Sequence, residues 1–370
     1  VRVLLLSAYD ADSHRRWRLD LARHLDDWHW TQLALPPRHF RWRVRGNSLS
    51  WSQENAQTLN AGYDLIIATS MTDLSALRGL VPALASIPTV LYFHENQFAY
   101  PVRQTQLSPV EPQVISLYSA LCADRVLFNS PYNSQSFFEG CEALLNRLPD
   151  QVPEGVVDQI KAKSAVIPVP LADHCFTDKT SSETCFSLVW NHRWEYDKGP
   201  ERLLSLLRTY FARPNAPALN VHVVGQQFRQ QPPAFAAVAE LLEQHRALGR
   251  WGYVEGAGEY RQLLARSHGV LSTAVHDFQG LSVLEAVAAG CIPLVPARLA
   301  YPDWFAEPWC YASHLEHPER EAEAAAEQLY RRACQWYSGT LPSEPSVAAL
   351  SWEALEPEYR RCLSAVAQVQ

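Results

Sequence analysis

The sequence predicts an α/β protein built as two Rossmann-like domains, each a doubly wound parallel sheet. Three observations predict it. The chain has 370 residues, more than one ordinary core organises. Short apolar runs recur along its whole length as uninterrupted stretches, the pattern of parallel strands covered on both faces. Helix-like segments of roughly 10–15 residues separate those runs, which is the rhythm of βαβ units.

In the first half "VRVLLLSAY", "TQLALP", "YDLIIATS", "IPTVLYFHEN", "RVLFNS" and "KSAVIPVPL" read as strands, with "SHRRWRLDLARHLDD" and "QVISLYSALCA" as helices. In the second half strand "CFSLVWNHR" leads to helix "PERLLSLLRTYF", and strand "LNVHVVGQ" to helix "PAFAAVAELLEQHR". Strand "RWGYV" then leads to helix "GEYRQLLARS", strand "GVLSTA" to helix "LSVLEAVAAG", and "CIPLVP" closes the series. Ser, Thr, Asp and Pro cluster without periodicity in "PVPLADHCFTDKTSSETC", so the expected domains are residues 1–172 and 173–345. Residues 346–370 hold a last helix, with Ser351 as its N-cap, that packs back on the N-terminal domain.

A hydrophobic content of 47% and an aromatic content of 11% are those of a globular protein. No apolar stretch is long enough to span a bilayer, and "VRVLLLSAYD" turns polar too soon for a signal peptide. The eight cysteines are scattered, with no CxxC and no histidine spacing for zinc; reduced thiols in a cytoplasmic protein are expected. A net charge of −7 argues against a generally nucleic-acid-binding surface. The charge is uneven, because "RHFRWRVR" places Arg38, Arg41, Arg43 and Arg45 around Phe40 and Trp42 with no acid between them.

Open α/β sheets bind ligands at the carboxyl ends of their strands. Those ends carry Asp10–His14, His94-Glu95-Asn96, Asn129-Ser130, Arg193–Lys198, Gly225-Gln226, Gly252–Val254 and His276–Gly280. Arg193 and Lys198 sit in a strand-to-helix turn, "HRWEYDKGPE", where two cations and a helix N-terminus suit a diphosphate. An ordinary solvated turn is the plain alternative. In "HDFQGLSVLEAVAAG" Asp277 and Glu285 stand eight apart, Gly280 opens a helix beside Phe278, a further donor-side candidate, and Leu281 and Ser282 offer free backbone N–H groups to an anion. An acidic helix cap would look the same. His94 followed by Glu95, Asn96 and Gln97 reads as a polar cluster at a cleft edge, or as a structural histidine.

The arginines and rings of "RHFRWRVRGN" suit phosphates and unpaired bases, and in a strand Arg41, Arg43 and Arg45 would share one face. A charged edge strand is the alternative. Asp10-Ala11-Asp12 imitates a metal-binding DxD without completing a site, so no metal is expected. No GxGxxG follows a strand and no GxSxG occurs.

"RWEYDKG" followed by an acid-x7-acid pair resembles the signature of retaining glycosyltransferases of GT-B fold. "LPPRHFRWRVRGNSLSW", "LYFHENQFAYPV", "VLFNSPYNSQSF", "VWNHRWEYDKGPE" and "WGYV", in that order along nearly the whole chain, resemble the tRNA-queuosine mannosyltransferase family. The resemblance implies two domains facing each other across a cleft. It implies transfer of mannose from GDP-mannose to the cyclopentenediol of queuosine in the anticodon of tRNA-Asp, with retained configuration. It assigns Arg193 and Lys198 to the diphosphate, Asp277 and His94 to the donor sugar, and Glu285 to the ribose. Trp251, Gly252, Tyr253 and Val254 take the base, with Asn129, Ser130 and Gly225 also on the donor side. On the acceptor side it implies Ser13, His14, Arg41, Trp42, Arg43, Arg45, Asn96 and Gln97. It implies no cofactor and no metal, the sugar nucleotide being a substrate.

Two departures from the family pattern stand out. Asp277 replaces a glutamate, with Gln279 where an aromatic is usual, which leaves the donor hexose open. Asp10 and Ala11 replace glycines of the first loop. Two rival readings remain. One is a related transferase acting on a lipid, glycan or small molecule. The other is a silent nucleotide- or RNA-binding protein, against which the presence of Arg193, Lys198 and Glu285 counts.

Overall fold

The computed structural model describes residues 1–99, 110–180 and 183–368. Residues 100–102 of the "FHENQFAYPV" motif and 181–182 of the linker lie outside them. The chain divides into two compact units, residues 1–170 with 352–370, and residues 171–351.

In the first unit β1 (Arg2–Ser7), β2 (His29–Ala34), β3 (Leu65–Thr69), β4 (Thr89–Phe93), β5 (Arg125–Phe128) and β6 (Ser164–Val166) form one sheet in the order β2-β1-β3-β4-β5-β6. Every pairing is parallel. β3 and β4 are buried at every residue, which is why they read as unbroken apolar runs. The chain steps outward from β1 to β2 and returns to β3 on the other side, so the topological switch lies between β1 and β3.

The second unit repeats the plan with β7 (Phe186–Trp190), β8 (Leu219–Val224), β9 (Leu248–Gly252), β10 (Gly269–Leu271), β11 (Ile292–Pro296) and β12 (Cys310–Tyr311). Its parallel order is β12-β11-β10-β7-β8-β9, which puts the switch between β7 and β10. The loops leaving those two strands are residues 191–199 and 272–280, so the topology itself gathers Arg193, Lys198 and Asp277.

Helix Trp352–Ala367 belongs to the first unit. Its Tyr359 is wholly buried, and the Tyr359 hydroxyl accepts from Trp17 Nε1 (3.0 Å) and lies 3.0 Å from the Pro168 carbonyl. Tyr92 stacks on Trp17 with ring centroids 4.3 Å apart, and His24 stacks on Trp352. No helix among the described residues is long and apolar enough to cross a membrane, and all eight cysteines are free thiols.

The arginine-rich segment is a helix, Phe40–Glu54, and not a strand. Its buried stripe is Val44, Asn47, Ser48 and Trp51, a 3.6-residue period that hydrophobicity hides because its middle members are polar. Asn47 is buried because its amide is satisfied there, donating to Met71 O (3.2 Å) and accepting from Asp73 N (3.1 Å). The alternation of Arg41, Arg43 and Arg45 that suggests a strand therefore spreads those side chains around a helix.

Candidate functional site

In the second unit the two loops at the switch are joined through backbone. Asp197 O accepts from Val275 N (2.9 Å) and His276 N (3.2 Å). Thr273 Oγ1 donates to Lys198 O (2.9 Å) and accepts from Trp190 Nε1 (3.0 Å). Gly199 makes this closeness possible, and Gly225, after β8, lets a third loop approach the first. A Cβ on Gly225 would stand 1.9 Å from His192 O, and one on Gly199, whose φ is +67°, would stand 2.2 Å from Thr273 O. Gly199→Ala should cost about 1–3 kcal/mol in strain alone, and more from the clash with Thr273. Gly339→Ala, at φ +70° in open space, carries only the strain. Denaturant midpoints of the two variants give the difference, and equal midpoints would count against the close approach.

Lys198 is buried, and its Nζ donates to His276 O (2.7 Å) and lies 3.3 Å from Asp277 Oδ2 and 3.5 Å from Asp197 Oδ2. Asp277 Oδ1 accepts from Gly280 N (2.9 Å), closing the turn that leads into helix Leu281–Ala288. Burial pushes the Asp277 carboxyl up, but the Lys198 ammonium and the Gly280 N–H outweigh it and hold it at about 2, so it is an anion at neutral pH. Arg193 is half-exposed; it pairs with Glu195 at 2.9 Å and approaches Asp197 at 3.9 Å. The cations read from the turn are thus already matched by carboxylates. The solvated Arg193–Glu195 pair contributes little to stability, whereas Lys198 is fixed in place.

Several residues of this site escape the sequence reading. His192 is buried, with Nε2 3.0 Å from Ser272 Oγ and Nδ1 3.3 Å from Ser282 Oγ, and Ser272 Oγ is 2.7 Å from the Tyr301 hydroxyl. Burial, reinforced by Lys198, lowers the His192 imidazole to about 3, so it stays neutral. Asn191 Nδ2 donates to Ser282 O (2.7 Å) and Tyr260 OH (2.9 Å). These contacts fix the first turn of helix Leu281–Ala288, whose leading N–H groups at Leu281 and Ser282 have no partner within the helix. Glu285 is half-buried one turn further on. Phe278 is buried with its ring edge-on to His276. Trp251 packs edge-on against Trp194, Gly252 O accepts from Gly225 N (3.3 Å), Tyr253 is exposed and Val254 is buried.

In the first unit His14, in helix Asp12–His24, and His94, after β4, are both buried and stack with ring centroids 4.1 Å apart. Trp17 closes edge-on over His94 at 4.7 Å. Burial, and then the neighbouring His14, lower the His94 imidazole well below its usual range; burial lowers His14 too, offset in part by Glu95 and Asp10. His94 Nε2 has no hydrogen-bond partner among the described residues. Ser13 is half-buried beside His14. Asp10 accepts from Arg18 through both oxygens (2.8 and 2.7 Å).

Asn96, Asn129 and Ser130 make hydrogen bonds within the first unit. Asn96 Nδ2 lies within hydrogen-bond distance of Asn133 Oδ1 (2.9 Å) and Ser136 Oγ (2.9 Å), and its Oδ1 accepts from Phe98 N and Ala99 N. Asn129 donates to His94 O (2.8 Å), and Ser130 Oγ caps helix Pro131–Leu145. Gln97 is half-buried, with Nε2 3.6 Å from Met71 Sδ. A cavity of about 680 Å³, lined by Arg78, Arg125 and Arg361 among others, opens beneath helix Trp352–Ala367 and touches none of these loops.

Solved structures share this architecture. A glycosyltransferase from Rickettsia africae ESF-5 superposes with a TM-score of 0.65 at 12% identity, covering 100% of this chain and 99% of its own. Anabaena Alr3699/HepE, solved in complex with UDP, gives 0.63 at 13% identity, covering 99% and 100%. These likenesses establish the GT-B fold, two parallel six-stranded α/β units. Residues 2–171 match the family model for the N-terminal part of tRNA-queuosine alpha-mannosyltransferases. A Drosophila melanogaster tRNA-queuosine alpha-mannosyltransferase is 32% identical over 311 residues, 81% of either chain. By that identity and span, this chain belongs to the tRNA-queuosine alpha-mannosyltransferase family.

Proposed function

We propose that this protein transfers mannose from GDP-mannose to the cyclopentenediol of queuosine in tRNA-Asp, with retention, in the cytoplasm. The 32% identity to a named tRNA-queuosine alpha-mannosyltransferase carries this reading. The switch-point geometry supports the chemistry. As the glycosidic C–O bond breaks, negative charge grows on the leaving diphosphate. Lys198, held against His276 O, and Arg193, once released from Glu195, neutralise it beside the N-terminus of helix Leu281–Ala288. Such a pair of protein cations and a helix dipole can meet the diphosphate without a metal.

Asp277, anionic at neutral pH, accepts hydrogen bonds from donor-sugar hydroxyls and stores no proton. His94 contributes its neutral Nε2 to a sugar hydroxyl. Glu285 takes the ribose, and the backbone of Trp251–Val254 the base. The exposed residues of helix Phe40–Glu54 meet the acceptor.

Queuosine-containing tRNA incubated with the protein and GDP-mannose, UDP-galactose or UDP-glucose tests the reading by nucleoside mass spectrometry. A hexose added to queuosine with GDP-mannose alone is expected. Transfer from a UDP-sugar instead would replace the donor. Donor hydrolysis with no mass added to tRNA would remove the acceptor.

A further inference from the structure

Trp42 is 51% exposed, near the start of helix Phe40–Glu54. One turn later stands Gly46, and a Cβ there would lie 2.5 Å from Trp42 Cε2, 2.5 Å from Cζ2 and 2.7 Å from Cδ2. These are contiguous atoms of the six-membered ring, and the indole nitrogen is not among the nearest. The helix backbone at Gly46 therefore meets the flat face of the indole, and only glycine leaves room for it. One face of the ring rests on the helix while the side chain stays half open to solvent.

The surrounding cations divide into two pairs. Arg43 Nε is turned back to Pro36 O (3.3 Å), and Arg45 is held by Asp73 (3.1 Å) and Glu111 (3.4 Å). Arg38 and Arg41 are exposed, and their side chains make no hydrogen bond or ion pair among the described residues. A braced aromatic face with two free guanidinium groups complements a planar base between phosphates, because every base has a π-face and stacking tolerates any sequence. A lipid surface fits less well: Leu49 is the only other exposed large apolar side chain of this helix.

We propose that Trp42, laid over Gly46, is the platform on which one unpaired base of an RNA loop stacks, with Arg38 and Arg41 taking the flanking phosphates. This rests on the reading that the acceptor is tRNA. Gly46 is its sharpest feature. Alanine at an ordinary helical position favours the helix, yet here it must push the indole off its seat.

The test uses the full chain and labelled queuosine-containing tRNA, with binding followed by anisotropy across a salt series. Trp42→Ala should weaken binding roughly 5- to 150-fold, the range for losing one stacked base, without changing the slope against salt. Trp42→Phe should restore much of it. Gly46→Ala should weaken binding in the same sense while its thermal midpoint holds or rises. Arg38→Ala with Arg41→Ala should flatten the salt slope by about 1.5. GDP-mannose binding should stay unchanged in every variant.

If the parent chain binds tRNA and Trp42→Ala binds it equally well, the platform is overturned while the tRNA reading survives. If the parent chain fails to bind tRNA, both fall. Trp42-dependent binding to phosphatidylserine vesicles in place of tRNA would assign the surface to a membrane instead.

Discussion

Lys198→Met should lower transfer by about 100- to 1,000-fold or more, the scale for losing one preorganised group at a developing charge. It should also destabilise the fold by roughly 3–5 kcal/mol, because Asp197 and Asp277 would be left buried without their shared cation. The two effects separate in a double variant. Lys198→Met with Asp197→Asn removes one orphaned charge, so part of the stability should return, while transfer should stay low if Lys198 serves the proposed diphosphate site. Denaturant midpoints and single-turnover transfer rates report the two quantities independently. A double variant that regained activity along with stability would make Lys198 a structural counter-ion only.

Acid should unfold the protein over an unusually high pH range. Burial lowers His14, His94 and His222, takes His192 to about 3, and takes His268 and His276 to about 4. In each the folded state favours the neutral imidazole, while the unfolded chain takes a proton near its ordinary value of 6.5. The unfolded state therefore binds more protons below about 6.5, and the stability these residues contribute is present above that pH and lost as it falls. Each histidine adds about 1.4 kcal/mol per pH unit between its two values. Four of the six lie in the second unit, so that unit should fail first. Thermal midpoints followed from pH 8 to 4.5 should be flat down to about 6.5 and then drop steeply. A midpoint that held to pH 4.5 would show these imidazoles to be protonated or exposed in the fold.

The parts of the structure legible in the sequence are those governed by burial on both faces of a sheet. β3, β4, β7 and β11 are buried at every position and announce themselves as apolar runs. Arg193, Lys198 and Asp277 are legible because they follow such runs directly, where an open sheet leaves its crevice. Helix Phe40–Glu54 is not, since Asn47 and Ser48 occupy its buried stripe and only their tertiary hydrogen bonds explain why. The same limit hides His192, Ser272 and Tyr301, whose chain of contacts joins residues far apart in sequence. It also hides the hydrogen-bond partners of Asn96 and Asn129. Their amides bond to Asn133, Ser136 and backbone groups that no local pattern predicts.

Helix Trp352–Ala367 belongs to the first unit, yet the ribosome makes it only after the whole of the second. Until then Trp17 Nε1 lacks the Tyr359 hydroxyl it donates to, and the face that Tyr359 covers stays open to water. The second unit is contiguous and meets no such delay. During synthesis the second unit can thus reach its final form while the unit begun first still waits for its closing helix, an order of maturation opposite to the order of translation.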